Sequence, residues 1–150
     1  MYRYKQRLTL TAAVALVPLA AACGTEEAGS SGSVSPEKPV TGVRWTIDSA
    51  TVDGKTHRTK GDAHLTFDQK TGKVGGRLGC NHVNATATVQ DGHITLGRPS
   101  TTRMMCDASL MDTERSLLSL FSTTLSYRVD HDTLALTSEN GDTLRAVADE

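Results

Sequence analysis

The sequence predicts an α+β fold: a small, strongly curved antiparallel β-sheet or partial barrel of seven to eight strands, packed with one amphipathic helix. Three observations carry that expectation. Apolar and polar residues alternate at period two through most of residues 41–148, the mark of half-buried strands. Turn-forming pairs such as Asp-Gly and Asn-Gly separate the runs at hairpin length. One stretch, residues 107–125, switches to helical spacing.

The strands follow in order. Val43, Trp45 and Ile47 alternate with Arg44, Thr46 and Asp48, and Asp53-Gly54 offers the first turn. Ala63, Leu65 and Phe67 form the next run, closed by Lys70-Thr71-Gly72. Val74, Gly76, Leu78 and Cys80 share one face of the third, where Gly75, Gly76 and Gly79 let the backbone bend or approach the helix closely. The phase breaks after Asn81: Val83, Ala85, Ala87 and Val89 now point inward, and Asp91-Gly92 joins them to Ile94 and Leu96. Tyr127 with Val129, Leu134 with Leu136, and Leu144 with Ala146 complete the set. Between the first strands and these last ones, Leu110, Met111, Leu117, Leu118, Phe121 and Leu125 form the helical stripe, with Asp107 or Asp112 placed to cap its start. A helix laid across the sheet covers an apolar face that would otherwise meet water.

The region before residue 41 has a different composition. Arg3, Lys5 and Arg7 precede an apolar run, Leu8 to Ala22, that is shorter than the roughly 20 residues needed to cross a bilayer, so residues 1–22 read as an export signal. The run ends Leu19-Ala20-Ala21-Ala22-Cys23, which resembles a bacterial lipobox and makes Cys23 the expected lipid-attachment site of a membrane-anchored lipoprotein on the extracytoplasmic side. An ordinary secretory signal cut nearby is the alternative. Residues 23–40 are rich in Gly, Ser, Pro and Glu, with almost nothing to bury, and read as a disordered tether. Without the signal the chain carries 13 basic and 17 acidic residues, so a nucleic-acid partner has little electrostatic support.

With Cys23 assigned to lipid, Cys80 and Cys106 remain as a pair in an oxidising setting and are expected to form a disulfide. The competing use of Cys80, His82 and Cys106 as zinc ligands has no paired C-x-x-C or H-x-x-x-H spacing behind it, and no metal is expected.

Trp45, Leu65-Thr66-Phe67, the run Gly76-Arg77-Leu78-Gly79-Cys80-Asn81, then Thr101-Thr102-Arg103-Met104-Met105-Cys106, Glu114 with Leu117 and Leu120, and Leu134-Ala135-Leu136 resemble the META domain family, whose bacterial members include HslJ-like heat-shock lipoproteins. The resemblance spans residues 41–147 and departs from the family pattern at Val83 and Ala85. It implies a small curved β-structure packed with a helix. It implies no catalytic residues and no cofactor, and its links to heat shock, motility and antibiotic tolerance are phenotypes.

The residues themselves agree in offering no catalytic constellation. There is no G-x-S-x-G elbow and no H-E-x-x-H pair. His57, His64, His93 and His131 fall at outward or loop positions, and Asp130 and Asp132 read as turn residues. His82 stands at the phase break and is the one histidine kept as a candidate base. Asp112, Glu114 and Arg115 read as a solvated helix face. Arg103 is expected to pair with Glu114 or a backbone carbonyl, or else to present a cation beside Met104 and Met105 to a ligand or partner. The leading expectation is a non-enzymatic envelope lipoprotein that binds other envelope components in stress tolerance. A lipocalin-like carrier of a small apolar ligand is the alternative, and an envelope hydrolase is a remote third.

Overall fold

The structure is a computed structural model that describes residues 39–60 and 62–150. The expected signal (1–22), Cys23 and nearly all of the expected tether lie outside the described residues.

Ten strands and one helix follow one another in the chain: β1 Arg44–Val52, β2 Lys55–Arg58, β3 His64–Asp68, β4 Lys73–Arg77, β5 His82–Gln90, β6 His93–Leu96, β7 Ser100–Thr101, α1 Ala108–Leu120, β8 Leu125–Asp130, β9 Thr133–Ser138 and β10 Thr143–Ala148. Every pairing between these strands is antiparallel. The order β10-β9-β8-β6-β5-β4-β3-β1, with β1 also paired to β10, closes an eight-stranded barrel, and β2 and β7 are added to it beside β1 and β5. Closure removes the open sheet edges that a partial barrel would leave.

Strand β1 makes closure possible by serving three neighbours. Trp45–Thr51 pair with β10, while on the other side Arg44–Thr46 pair with β3 and Ser49–Val52 pair with β2. The register shifts between Ile47 and Ser49, a bulge that bends the strand as it passes from one partner to the next. The hairpins at Asp53-Gly54 and Asp91-Gly92 each place both loop residues at positive φ, which suits the right-handed twist of the flanking strands.

Most of the inward positions read from the sequence are buried, while Val43, Ala87, Val89, Leu96 and Tyr127 are only partly covered. Trp45, Ile47, Leu65, Phe67, Val74, Leu78, Ile94, Leu125, Leu134, Leu136 and Leu144 are buried in one cluster, and Leu117, Leu120 and Phe121 of the helix region join it. Two elements were not expected: β2, whose Lys-Thr-His-Arg has no apolar alternation, and the two-residue β7. Strand β4 stops at Arg77, so Leu78 and Cys80 reach the core from an irregular bend rather than from a strand.

The helix is shorter than its apolar spacing suggests. Asp107 caps it, its side chain accepting from the Leu110 amide, but the helix ends at Leu120 and Leu125 opens β8. At its end the chain tightens: the amide and hydroxyl of Ser122 both turn back to the Ser119 carbonyl, and those of Thr123 to the Leu120 carbonyl, i→i−3 bonds that close the last turn. The buried face is also displaced from the expected stripe. It consists of Thr113, Glu114, Leu117 and Leu120, whereas Leu110, Met111 and Leu118 are only partly covered.

Asp107 gives the helix a pH-dependent start. The Ser109 hydroxyl and then the Leu110 amide hold its carboxyl below the ordinary carboxylate range. A depressed folded pKa contributes stability that is present above the unfolded value, near 3.9, and is lost as pH falls through the folded one. Thermal melts between pH 6 and pH 2 are expected to show a steeper acid loss for the parent protein than for Asp107→Asn, which keeps a capping oxygen without the titrating group. Asp68, lowered mainly by the Thr71 amide, titrates in the same acid range in both proteins and cancels in the comparison.

Candidate functional site

The two motifs that set this sequence apart, Gly79-Cys80-Asn81 and Thr102 to Cys106, meet at one place beside the helix. Cys80 and Cys106 are joined by a disulfide with a Cα separation of 5.8 Å, so the bend after β4 is tied to the residue that precedes the helix cap. This pairing overturns the zinc alternative, since bridged sulfurs cannot serve as thiolate ligands. Among the described residues no His, Cys, Asp and Glu group is arranged to hold a metal.

Asn81 is the centre of the junction. Its backbone amide donates to Glu114 Oε2 at 2.6 Å and its side-chain Nδ2 to Glu114 Oε1 at 2.9 Å. Its Oδ1 accepts from the Met104 amide at 2.6 Å and from the Thr102 hydroxyl at 2.8 Å, and Nδ2 also reaches the Met104 carbonyl at 3.3 Å. The amide orientation is dictated by these partners: a carboxylate needs the NH2 and a backbone N–H needs the oxygen. Thr102 extends the link, its Oγ1 accepting from the His82 amide and its own amide donating to the His82 carbonyl. Charge-assisted bonds of this kind are the stronger class, and burial raises the cost of leaving either partner unmet.

Glu114 therefore corrects two expectations. It is buried at 6% exposure, not part of a solvated face, and its carboxylate is taken by Asn81, not by Arg103. Asp112 and Arg115 do behave as expected, forming an exposed i,i+3 ion pair at 2.9 Å. The sequence held a signal for Glu114 that apolar counting passes over: Leu110, Glu114, Leu117 and Phe121 recur at helical spacing, which places the acid on the inward stripe.

Glycine fits the closest contact at this junction. A Cβ on Gly79 would stand 3.0 Å from the Leu110 carbonyl oxygen, tighter than ordinary contact, so a side chain here would press the bend away from the helix by a few tenths of an ångström. Gly76 was expected to serve the helix too, yet its close neighbour is β3, where a Cβ would meet the His64 carbonyl, and Gly75 faces Asn84 of β5. Trp45 lies apart from the junction. It is fully buried in the barrel core, with Nε1 donating to the Val40 carbonyl at 2.8 Å.

What the junction presents outward is Arg103-Met104-Met105. Met104 is 54% and Met105 88% exposed, and Arg103 is exposed beside them, although the backbone at Met104 is held on both its amide and its carbonyl by Asn81. His82 is exposed, with its backbone engaged by Thr102. His57 Nε2 lies 3.2 Å from Ser116 Oγ, and His131 Nδ1 2.6 Å from Asp130, but among the described residues no histidine is held between a hydroxyl and a carboxylate in the manner of an activated nucleophile. The carrier alternative needs an empty lumen, whereas Trp45, Phe67, Leu65, Ile94, Leu134 and Leu136 fill the barrel interior with their own side chains.

The disulfide closes a loop of 26 residues, which corresponds to roughly 3.5 kcal/mol in the chain-entropy treatment. Denaturant unfolding of the Cys80→Ser/Cys106→Ser protein is expected to show a loss of about that size, with the same loss in the parent after reduction.

Residues 38–150 match the family described as META domain. Among solved structures, an NMR structure of a protein from Burkholderia xenovorans is similar with a TM-score of 0.62 at 21% identity, covering 73% of this chain and 83% of that one. A second NMR structure is similar with a TM-score of 0.54 at 18% identity, covering 70% and 88%. At these identities the two establish a shared fold and nothing about activity. No curated protein matches the chain. With the family model matching residues 38–150, which hold the whole barrel and the junction of Gly79-Cys80-Asn81 with Thr102 to Cys106, the chain belongs to the META domain family.

Proposed function

We propose that this chain is a non-enzymatic cell-envelope lipoprotein, anchored through Cys23 to the extracytoplasmic face of a bacterial membrane, whose META domain binds other envelope components in stress tolerance or envelope maintenance through Arg103, Met104 and Met105. One observation carries the reading: two adjacent methionines and a cation stand in solvent on a backbone fixed by Asn81, Glu114 and the Cys80–Cys106 bridge. Exposed large apolar side chains on a rigid support suit recognition, because little ordering entropy remains to be lost on binding. Methionine adapts to varied partner surfaces. The export signal and the Gly/Ser/Pro-rich stretch after Cys23 support the location.

The test has two arms. Palmitate labelling and membrane fractionation of the parent and Cys23→Ala proteins are expected to show a labelled, membrane-bound parent and an unlabelled, released variant; membrane binding that survives without label overturns the anchor. Proximity labelling in cells with Met104→Ser/Met105→Ser is expected to lose the neighbours seen with the parent at unchanged thermal stability. An identical neighbour set overturns the binding role of the loop.

A further inference from the structure

On the other side of the Gly79 bend, a cleft of about 400 Å³ opens between the β2–β3 connection and the first turns of α1. Its volume falls within the range of about 300 to 1,000 Å³ typical of small-molecule sites. Half-buried Leu110 gives it an apolar wall above the core residues Ala63 and Leu78 at its base, and Arg58, Lys60 and Arg77 line it with positive charge. Asp62 also lines it, leaving the lining with an excess of two cations, and Lys60 is near enough to Asp107 to favour that carboxylate.

Arg77 is the best-positioned of the three. It is half-buried, and its guanidinium is aimed by two backbone carbonyls, Nε donating to Gly79 at 3.1 Å and one Nη to Cys80 at 3.3 Å. Those carbonyls belong to the bend that Asn81 and the disulfide hold in place, so the same bend fixes a cation at the cleft. The remaining N–H groups of Arg77 form part of a fork suited to two oxygens of one anion. The side chains of Arg58 and Lys60 are exposed and make no hydrogen bond or close ion pair among the described residues, so their charged ends can turn to a ligand.

We propose that this cleft binds a free organic anion with a short apolar chain, its carboxylate or phosphate on Arg77, Arg58 and Lys60 and its chain against Leu110. Each half of the ligand answers a feature of the cleft: an apolar molecule would desolvate the remaining N–H groups of a positioned guanidinium without pairing them, and a small inorganic anion would leave Leu110 uncovered. The recess favours a single molecule entering end-on over a flat bilayer surface. The site lies outside the barrel, and the inference does not depend on the anchor at Cys23 or on the methionine loop.

Decanoate, decyl phosphate, decanol and decyltrimethylammonium are titrated into isotope-labelled full chain carrying Cys23→Ser, which avoids detergent, with backbone NMR shifts as the readout. The two anions are expected to bind with sub-millimolar Kd, moving the amides of Ala63, Leu78, Gly79, Ser109 and Leu110, with at least tenfold weaker binding for decanol and the cation. Arg58→Gln/Lys60→Gln, both at exposed positions, is expected to weaken decanoate about tenfold with the fold intact, and Arg77→Gln at least as much, since bonds to charged groups are the stronger class. Equal binding of decanol and decanoate, shifts centred elsewhere, or no effect of the double variant overturns the proposal. Binding to phosphatidylglycerol vesicles without binding to decanoate or decyl phosphate overturns it in favour of a bilayer headgroup site.

Discussion

Glu114→Ala is expected to destabilise the domain by about 3–5 kcal/mol, since two charge-assisted bonds are lost and buried donors are left without acceptors. The Asn81 backbone amide and Nδ2 both lose Glu114. At roughly 4–8 °C per kcal/mol for a domain near this size, the melting temperature falls by more than about 12 °C. Glu114→Gln separates the two contacts. One of its terminal atoms is a donor facing a donor, so it recovers one bond at most, and about half the loss remains. The change should also be felt at a distance: with Asn81 released, Met104 loses the partner of both its amide and its carbonyl. Hydrogen exchange at Met104 and Met105 is expected to accelerate in Glu114→Gln at temperatures where the barrel is still folded. A loss below about 1 kcal/mol in Glu114→Ala, measured by denaturant unfolding, would show that the junction is not a structural latch.

Trp45→Ala is expected to cost a comparable 3–5 kcal/mol, for a different reason. The indole is completely buried in a core that has few other large rings, Phe67 and Phe121 among them, so no neighbour can swing in to refill the space. The bond from Nε1 to the Val40 carbonyl also ties the segment before β1 to the barrel. Trp45→Phe keeps most of the apolar volume and removes that bond; about 1–3 kcal/mol is expected, with the Val40 region showing the larger change in proteolytic sensitivity. If Trp45→Phe were as damaging as Trp45→Ala, the hydrogen bond rather than the packing would be the main contribution. Cooperative unfolding curves with unchanged slope are the condition for comparing these values.

Most strands were legible because a half-buried strand writes its own pattern: Trp45 and Ile47, Leu65 and Phe67, Leu134 and Leu136 each alternate with residues that face water. Strand β2 was not, because Lys-Thr-His-Arg lies on the surface beside β1 and has no apolar face to alternate. The helix end was misplaced for a related reason. Leu125 continues the apolar spacing from across a chain reversal, while the i→i−3 bonds of Ser122 and Thr123 that close the last turn leave no mark in hydropathy.

The same division runs through the junction. Spacing and compartment were enough to pair Cys80 with Cys106, and the motif residues could be picked out one by one. That Asn81 and Glu114 meet was not visible, since they are 33 residues apart and each looks like an ordinary polar residue in its own segment. The positions of Arg58, Lys60 and Arg77 around one cleft were hidden in the same way, because β2, β4 and the turns between them contribute one residue each to a place that exists only when the sheet has curved.

By itself, then, the sequence determined the elements that local alternation and turn chemistry specify, the cysteine pair, and a largely apolar core with few rings. Only the tertiary structure decided that β1 bends at its bulge to meet β10 and close the barrel, and that a buried carboxylate holds the exposed methionines in place. The physical reason is range. Alternation and turns are settled between residues a few positions apart, whereas closure and the Asn81–Glu114 contact depend on where distant segments arrive once the apolar faces have been buried together.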